Sequence, residues 1–232
     1  SEIARFTLRR TKTQINQLVD RDASAYRHPV TGRTCRYPEH HACVYDTAET
    51  PADETVANRI REISDQLTGI ALLPRTVAVP AWMRSRINDE SWLQFRLSSA
   101  SGLAQHQVRG SLRSSRAALY EHVRGTDAAM AQFELLSSFK TTKAPGAISK
   151  LHQLALDGPP DVSALACEVP DWMVDQDLWA AACGEEERRY ESLGEQVLLI
   201  SDARELGKAE LLTRLALEHQ RVLAFDHHLI TL

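Results

Sequence analysis

Apolar side chains recur every three to four positions through most of this chain, the spacing that lines one face of an α-helix. Val56, Ile60, Ile63, Leu67 and Ile70 form one such stripe. Thr50-Pro51-Ala52-Asp53-Glu54 ahead of it has the chemistry of a helix start. It offers a capping hydroxyl, a proline whose missing N–H costs nothing in the first turn, and acids at the positive end of the dipole. A second helix is predicted over residues 90–99. A third, over 105–123, buries Val108, Leu112, Leu119 and Val123 and carries Arg109, Arg113 and Arg116 on one stripe. Two more fall at 128–139 and 147–156, parted by Lys143-Ala144-Pro145-Gly146, and a last at 209–217. Gly158-Pro159-Pro160 reads as a linker. The acidic stretch after it, up to Glu195, reads as helical, with Trp172, Met173, Leu178 and Trp179 as packing residues.

Strand signal is scarce and sits near the ends. His41-Ala42-Cys43-Val44-Tyr45 is short and rich in β-formers, and Arg221-Val222-Leu223-Ala224-Phe225 is a continuous apolar run of the kind a buried parallel strand shows. The predicted fold is therefore mainly α: a helical bundle-like region with short β elements at its ends, the last helix and strand opening an α/β unit. A parallel strand needs neighbours that the seven residues after Phe225 do not provide. Because the chain also starts at Ser1 without an initiator methionine, we expect it to be a piece of a longer protein.

Composition narrows the classes. With 232 residues, 43% hydrophobic and 25% charged, the chain is a folded domain or two small ones rather than a disordered or fibrous sequence. No apolar run approaches the roughly 20 residues of a membrane-spanning helix, so no membrane partner is expected. Arg5, Arg9, Arg10 and Lys12 lead into no apolar signal-peptide core. Four irregularly spaced cysteines suit a reducing cytoplasm rather than a disulfide framework.

Charge is unevenly spread. Residues 1–36 hold eight Lys/Arg against three Asp/Glu, and residues 84–124 seven against three. Residues 157–195 hold eleven acids against Arg188 and Arg189. Three arginines on one helical stripe repel unless an anion lies opposite. Arg109, Arg113 and Arg116 therefore meet either phosphates or the acidic tract at 157–195.

The sequence has no GxxxxGK[ST] loop, no GxGxxG, no HExxH and no GxSxG, so the chain by itself shows no catalytic motif. Phe6-Thr7-Leu8-Arg9-Arg10-Thr11-Lys12 resembles the LRRTK block that closes the first RecA-like lobe of Swi/Snf-type superfamily two helicases and DNA translocases. Tyr37-Pro38-Glu39-His40, the 41–45 run and Thr50-Pro51-Ala52-Asp53 follow in the family's order of turn, strand and helix start. Leu112-Arg113-Ser114-Ser115-Arg116-Ala117-Ala118-Leu119 resembles the R-x-x-S-S-x-x-A helix found between the lobes of bacterial members. Leu206-Gly207-Lys208-Ala209-Glu210-Leu211-Leu212 with the 221–225 run resembles the helix and strand that open the second lobe, although Asp226 stands where the family usually has serine.

The resemblance implies three parts: residues 1–25 ending the first lobe, 26–200 forming a helical coupling region, and 201–232 starting the second RecA-like lobe. It implies a fragment of an ATP-dependent DNA helicase or translocase. Arg9, Arg10, Thr11, Lys12, Arg221 and Phe225 would be inter-lobe motif residues, and Arg113, Arg116 and Lys208 would contact DNA. The phosphate-binding loop and the Asp-Glu box would precede Ser1, so ATP and Mg2+ belong to the full-length parent and none is expected in this chain. Exposed apolar surface is then expected at residues 6–19 and 222–232. The middle, residues 75–195, matches least and could take a protein partner.

Three other readings compete. Cys35, His40, His41 and Cys43 are zinc-ligand types, but their spacing lacks paired Cys-x2-4-Cys modules, and no metal site is expected. Asp226-His227-His228 resembles one element of a DHH-type phosphoesterase without the upstream aspartates that such a site needs. The serious rival is a self-contained helical protein-interaction module with no coupling to ATP.

Overall fold

The computed structural model describes residues 11–34, 36–37, 44–46, 49–135, 143–226 and 228–231. Two compact units result, Ser1–Tyr45 and Asp46–Leu232. Among the described residues there are eight α-helices, and β structure is limited to three isolated bridges.

The first unit contains α1 (Lys12–Arg21). Its start is a capping box: the Thr11 hydroxyl accepts from the Gln14 N–H, and the Gln14 side chain accepts from the Thr11 N–H. Asn16 exchanges two 2.9 Å hydrogen bonds with the backbone of Tyr37, and Arg36 pairs with Asp20. Val19 is buried and Ile15 and Leu18 are half-buried, so the described part of 6–19 does not offer the exposed apolar surface expected there.

In the second unit, α2 (Pro51–Ser64) starts where the sequence places it. Asp53 serves two partners. It closes the capping box with Thr50 and accepts from the Ser201 N–H at 2.7 Å and the Ser201 hydroxyl at 2.8 Å. The bonds from Ser201 and Thr50 hold its carboxyl well below the usual carboxylate range.

The second and third predicted helices are corrected. α3 (Asp89–Ser114) runs unbroken across residues 100–104, because Ala100 and Ala104 present small buried surfaces that let it pack closely. The break comes later, at Ser115. Its extended backbone ends α3, and its hydroxyl caps α4 (Arg116–Arg124) by accepting from the Ala118 N–H at 3.0 Å. α5 is short (Thr126–Gln132), and residues 136–139 of the predicted 128–139 helix lie outside the described residues.

α6 (Ala147–Asp157), α7 (Gln176–Val197) and α8 (Ala203–Glu218) complete the set. α7 is the hub, packing on α2, α4 and α6. The main core joins Ile60 and Ile63 to Val108, Leu112, Leu119, Val123, Leu151, Trp179, Leu193 and Val197. A smaller core gathers Val77, Val79, Trp92, Leu93 and Met173. Trp172 stacks on Trp179 with ring centroids 5.9 Å apart, but Leu178, expected to pack, is exposed.

Gly158-Pro159-Pro160 is not a linker between domains. It is pinned inside the second unit by a parallel bridge in which Val77 N–H donates to Asp161 and Asp161 N–H to Arg75, each at 2.8 Å. The predicted strand at 221–225 is also corrected. No strand lies beside it among the described residues to take its hydrogen bonds, and Leu223 and Phe225 stand 83% and 90% exposed. Ile230 is buried against Ala118 and Ala129, so the expected exposed surface over 222–232 is not continuous. Of the predicted 41–45 strand, residues 41–43 lie outside the described residues, and Val44 and Tyr45 are exposed.

One buried carboxylate fixes the turn after α2. Glu186, fully shielded on α7, accepts from Thr68 N–H at 2.8 Å, Gly69 N–H at 2.8 Å and Ile70 N–H at 3.2 Å, and from the Thr68 hydroxyl. Gly69 is required there twice over. Its φ is +78°, and a Cβ would lie 2.2 Å from the Ala100 carbonyl oxygen. Glu186→Ala leaves buried donors unmet and should cost about 3 kcal/mol. Gly69→Ala should lower stability comparably through the clash with α3. Urea unfolding followed by circular dichroism checks both, and unchanged midpoints would refute this account of the turn.

Candidate functional site

The outer face of α3 separates two clefts. His106 and Arg113 line both.

The first cleft, of about 480 Å3, is rimmed by Arg61 of α2, His106, Arg109 and Arg113 of α3, and Arg204 of α8, with Glu49 the one acid among its lining residues. Three of the arginines are already engaged. Arg61 bonds the Asn58 side chain and Arg109 pairs with Asp65. Arg204, 9% exposed, pairs with Glu49 at 3.3 Å and Glu205 at 3.5 Å, while its buried Nε has no hydrogen-bond partner among the described residues. Arg113 is exposed and makes no ion pair among the described residues. A rim with this excess of guanidinium groups attracts anions, and planar donors suit phosphate oxygens.

The second cleft, of about 670 Å3, lies where α3 and α4 meet the chain near residues 225–228. Its polar groups include Arg113, Ser114, His122, Lys150, Asp226 and His228. Asp226 Oδ1 accepts from the Ser114 hydroxyl and from the His228 N–H at 2.9 Å. Burial would raise this carboxyl, but those bonds and the nearby Lys208 and His228 charges outweigh it and hold it below the usual range. His122 packs edge-on against Tyr190 with ring centroids 5.7 Å apart, and its Nε2 is shut off from solvent without a partner among the described residues. Burial, then the charges of Lys150 and His228, pushes its imidazole down to about 4. His122 is therefore neutral at pH 7.

The arginine stripe does not meet the acidic tract at 157–195. Arg109 pairs with Asp65, and Arg116 meets Glu205 of α8, whose Oε1 accepts from the Arg116 N–H at 2.9 Å and whose Oε2 lies 3.7 Å from Nε. Arg116 also donates to the Ile200 carbonyl at 2.9 Å and lies over the Phe133 ring at 5.4 Å, so its guanidinium is engaged in packing. Lys208 reaches the end of α3, donating to the Ser114 carbonyl at 2.7 Å and the Arg113 carbonyl at 3.3 Å. Lys208 is the sixth residue of α8, past its first turn, and its charge sits at the negative end of α3.

The remaining sequence-level candidates are scattered. Arg9 and Arg10 lie outside the described residues; Thr11 caps α1, and Lys12 lies 5.8 Å over the Tyr37 ring. Arg221 is exposed, and Phe225 lines the second cleft. Arg61, Arg204, His122 and Lys150 escape sequence reasoning because each sits on a different helix with no local motif. Cys35, His40, His41 and Cys43, whose spacing argues against a zinc site, lie outside the described residues, as does His227. Among the described residues no group of three or more His, Cys, Asp or Glu could hold a metal ion, and no helix is long and apolar enough to cross a membrane.

The low His122 value has a stability consequence. Its folded pKa lies below the usual 6.5, so the unfolded chain binds the proton first as pH falls. Stability is full above about pH 6.5 and should drop by about 3 kcal/mol as pH falls through 4, at 1.36 kcal/mol per pKa unit. His122→Leu should flatten that dependence, and an NMR titration should place the imidazole near 4; titration near 6.5 would refute the burial argument. Comparison with protein-family models, curated proteins and solved structures yields no match.

Proposed function

We propose that this chain is the coupling segment of an ATP-dependent DNA helicase or translocase of the Swi/Snf type, and that α3 meets the sugar-phosphate backbone of DNA. The observation that supports the nucleic-acid part is Arg113, an exposed guanidinium without an ion pair among the described residues, at the lip of an arginine-rimmed cleft. Phosphate contacts of this kind need cations on a firm support and little base recognition. α3 offers that support because Val108 and Leu112 anchor it in the core.

The ATP-dependent part is supported by the ordered resemblance from residue 6 to residue 225. This reading assigns ATP and Mg2+ to the parent's lobes and leaves this chain to transmit motion between them. Arg113, rather than Arg116, is the arginine of the stripe that remains available to phosphate. The rival reading, a helical protein-interaction module, draws on the separate core of the Asp46–Leu232 unit.

The test replaces Arg113 with Ala in the parent protein. DNA-stimulated ATP hydrolysis should fall, and the slope of log affinity against log salt should shrink by about one if this arginine neutralises one phosphate. Unchanged stimulation with an unchanged slope overturns the nucleic-acid role. A parent without ATP hydrolysis under any DNA condition favours the interaction module.

A further inference from the structure

The second cleft carries chemistry that duplex phosphates do not need. Phe225 lines it with 90% of its surface exposed, in a stretch outside helix and strand, and is absent from every core cluster. Asp226 follows it directly. Both of its described bonds fall on Oδ1, so an incoming N–H would meet Oδ2. Lys150 on α6 and Arg113 on α3 bring two cations to the same cleft from different helices. The His122 Nε2 is a buried polar atom with no partner among the described residues, and buried polar atoms in folded proteins are nearly always satisfied.

A flat exposed ring, a carboxylate acceptor and two cations around about 670 Å3 match the parts of one ligand class. An aromatic face stacks a base, a carboxylate accepts from an exocyclic amine, and guanidinium and ammonium groups receive a phosphate. We propose that this cleft binds a nucleotide. Its base lies against Phe225 with an amino group toward Asp226, and its phosphate is drawn to Lys150 and Arg113. His122 lines the cleft as a neutral ring and adds no charge to it.

The nucleotide could be free or the unstacked nucleotide of a single strand, since both present the same base and phosphate. The proposal does not rest on the translocase reading. Phe225 and Lys150 line this cleft and not the arginine-rimmed one, so variants there leave the duplex test untouched.

The experiment is calorimetric titration of the 232-residue chain with AMP, ATP, adenosine, tripolyphosphate and a short single-stranded oligo(dA). Saturable one-to-one binding of AMP is expected, with adenosine and tripolyphosphate each at least about tenfold weaker. Phe225→Ala should weaken AMP about tenfold, the usual loss when a stacking ring is removed, and Lys150→Gln severalfold. Both side chains are exposed, so the fold should survive, and circular dichroism confirms it. Competition identifies the source: oligo(dA) displacing AMP with higher affinity marks a strand nucleotide, and failure to displace it marks a free one. Tripolyphosphate binding as tightly as AMP, with no effect of Phe225→Ala, reduces the cleft to an anion site and overturns the proposal. So does the absence of saturable binding by AMP, ATP and oligo(dA).

Discussion

A single carboxylate with no access to water organises the second unit. Glu186 sits in the main core region with its charge met by three backbone N–H groups and one hydroxyl, all from residues 68–70. A charge in that setting is tolerable only while every bond is made, so the turn is held to one conformation. The turn in turn fixes Gly69 against the backbone of Ala100, which sets how closely α3 approaches the end of α2. The hydrophobic stripes then have one way to close, and the outer face of α3 is left between the two clefts.

The end of α3 is the second point of control. Ser114 and Ser115 share Thr231 as a hydroxyl partner, at 2.9 and 2.8 Å, while Lys208 bonds the last carbonyls of the helix. Arg116 and Glu205 join α4 to α8 a few residues away. Four elements thus meet where one helix stops, and most of the bonds there are polar. Each is worth about 0.5–1.5 kcal/mol, far less than the apolar core, so this junction is the part of the unit most open to rearrangement. Under the proposed reading α8 opens the second lobe, and motion of that lobe would reach α3 through Lys208 and Arg116.

The arginine stripe shows how local pattern and tertiary setting divide the argument. The three-and-four spacing of Arg109, Arg113 and Arg116 was legible, and so was the need for something negative nearby. Their fates differ because Ser115 interrupts the helix: Arg109 and Arg113 remain on α3, whereas Arg116 begins α4 and turns to Glu205. The break combines a local cap, Ser115 on the Ala118 N–H, with a distant hydroxyl that bonds the same serine. Here Thr231 sits 116 residues from Ser115 in sequence. The same distance effect hides the clefts, since Arg61, Lys150 and Arg204 come from three separate helices.

By itself the sequence determined the helical character of the chain, the start of α2 at Thr50, and the inward faces of α2, α4 and the second half of α3. Those features follow from periodicity and capping, which act over a few residues. Tertiary structure alone decided that residues 221–225 form no strand among the described residues, that Gly158-Pro159-Pro160 is pinned, and that Glu186 is buried at the hub while Glu185 beside it faces water. An apolar run becomes a strand only when another strand takes its hydrogen bonds, and an acid goes inside only when distant donors converge on it. Both conditions depend on residues far away in the chain, and no local pattern encodes them.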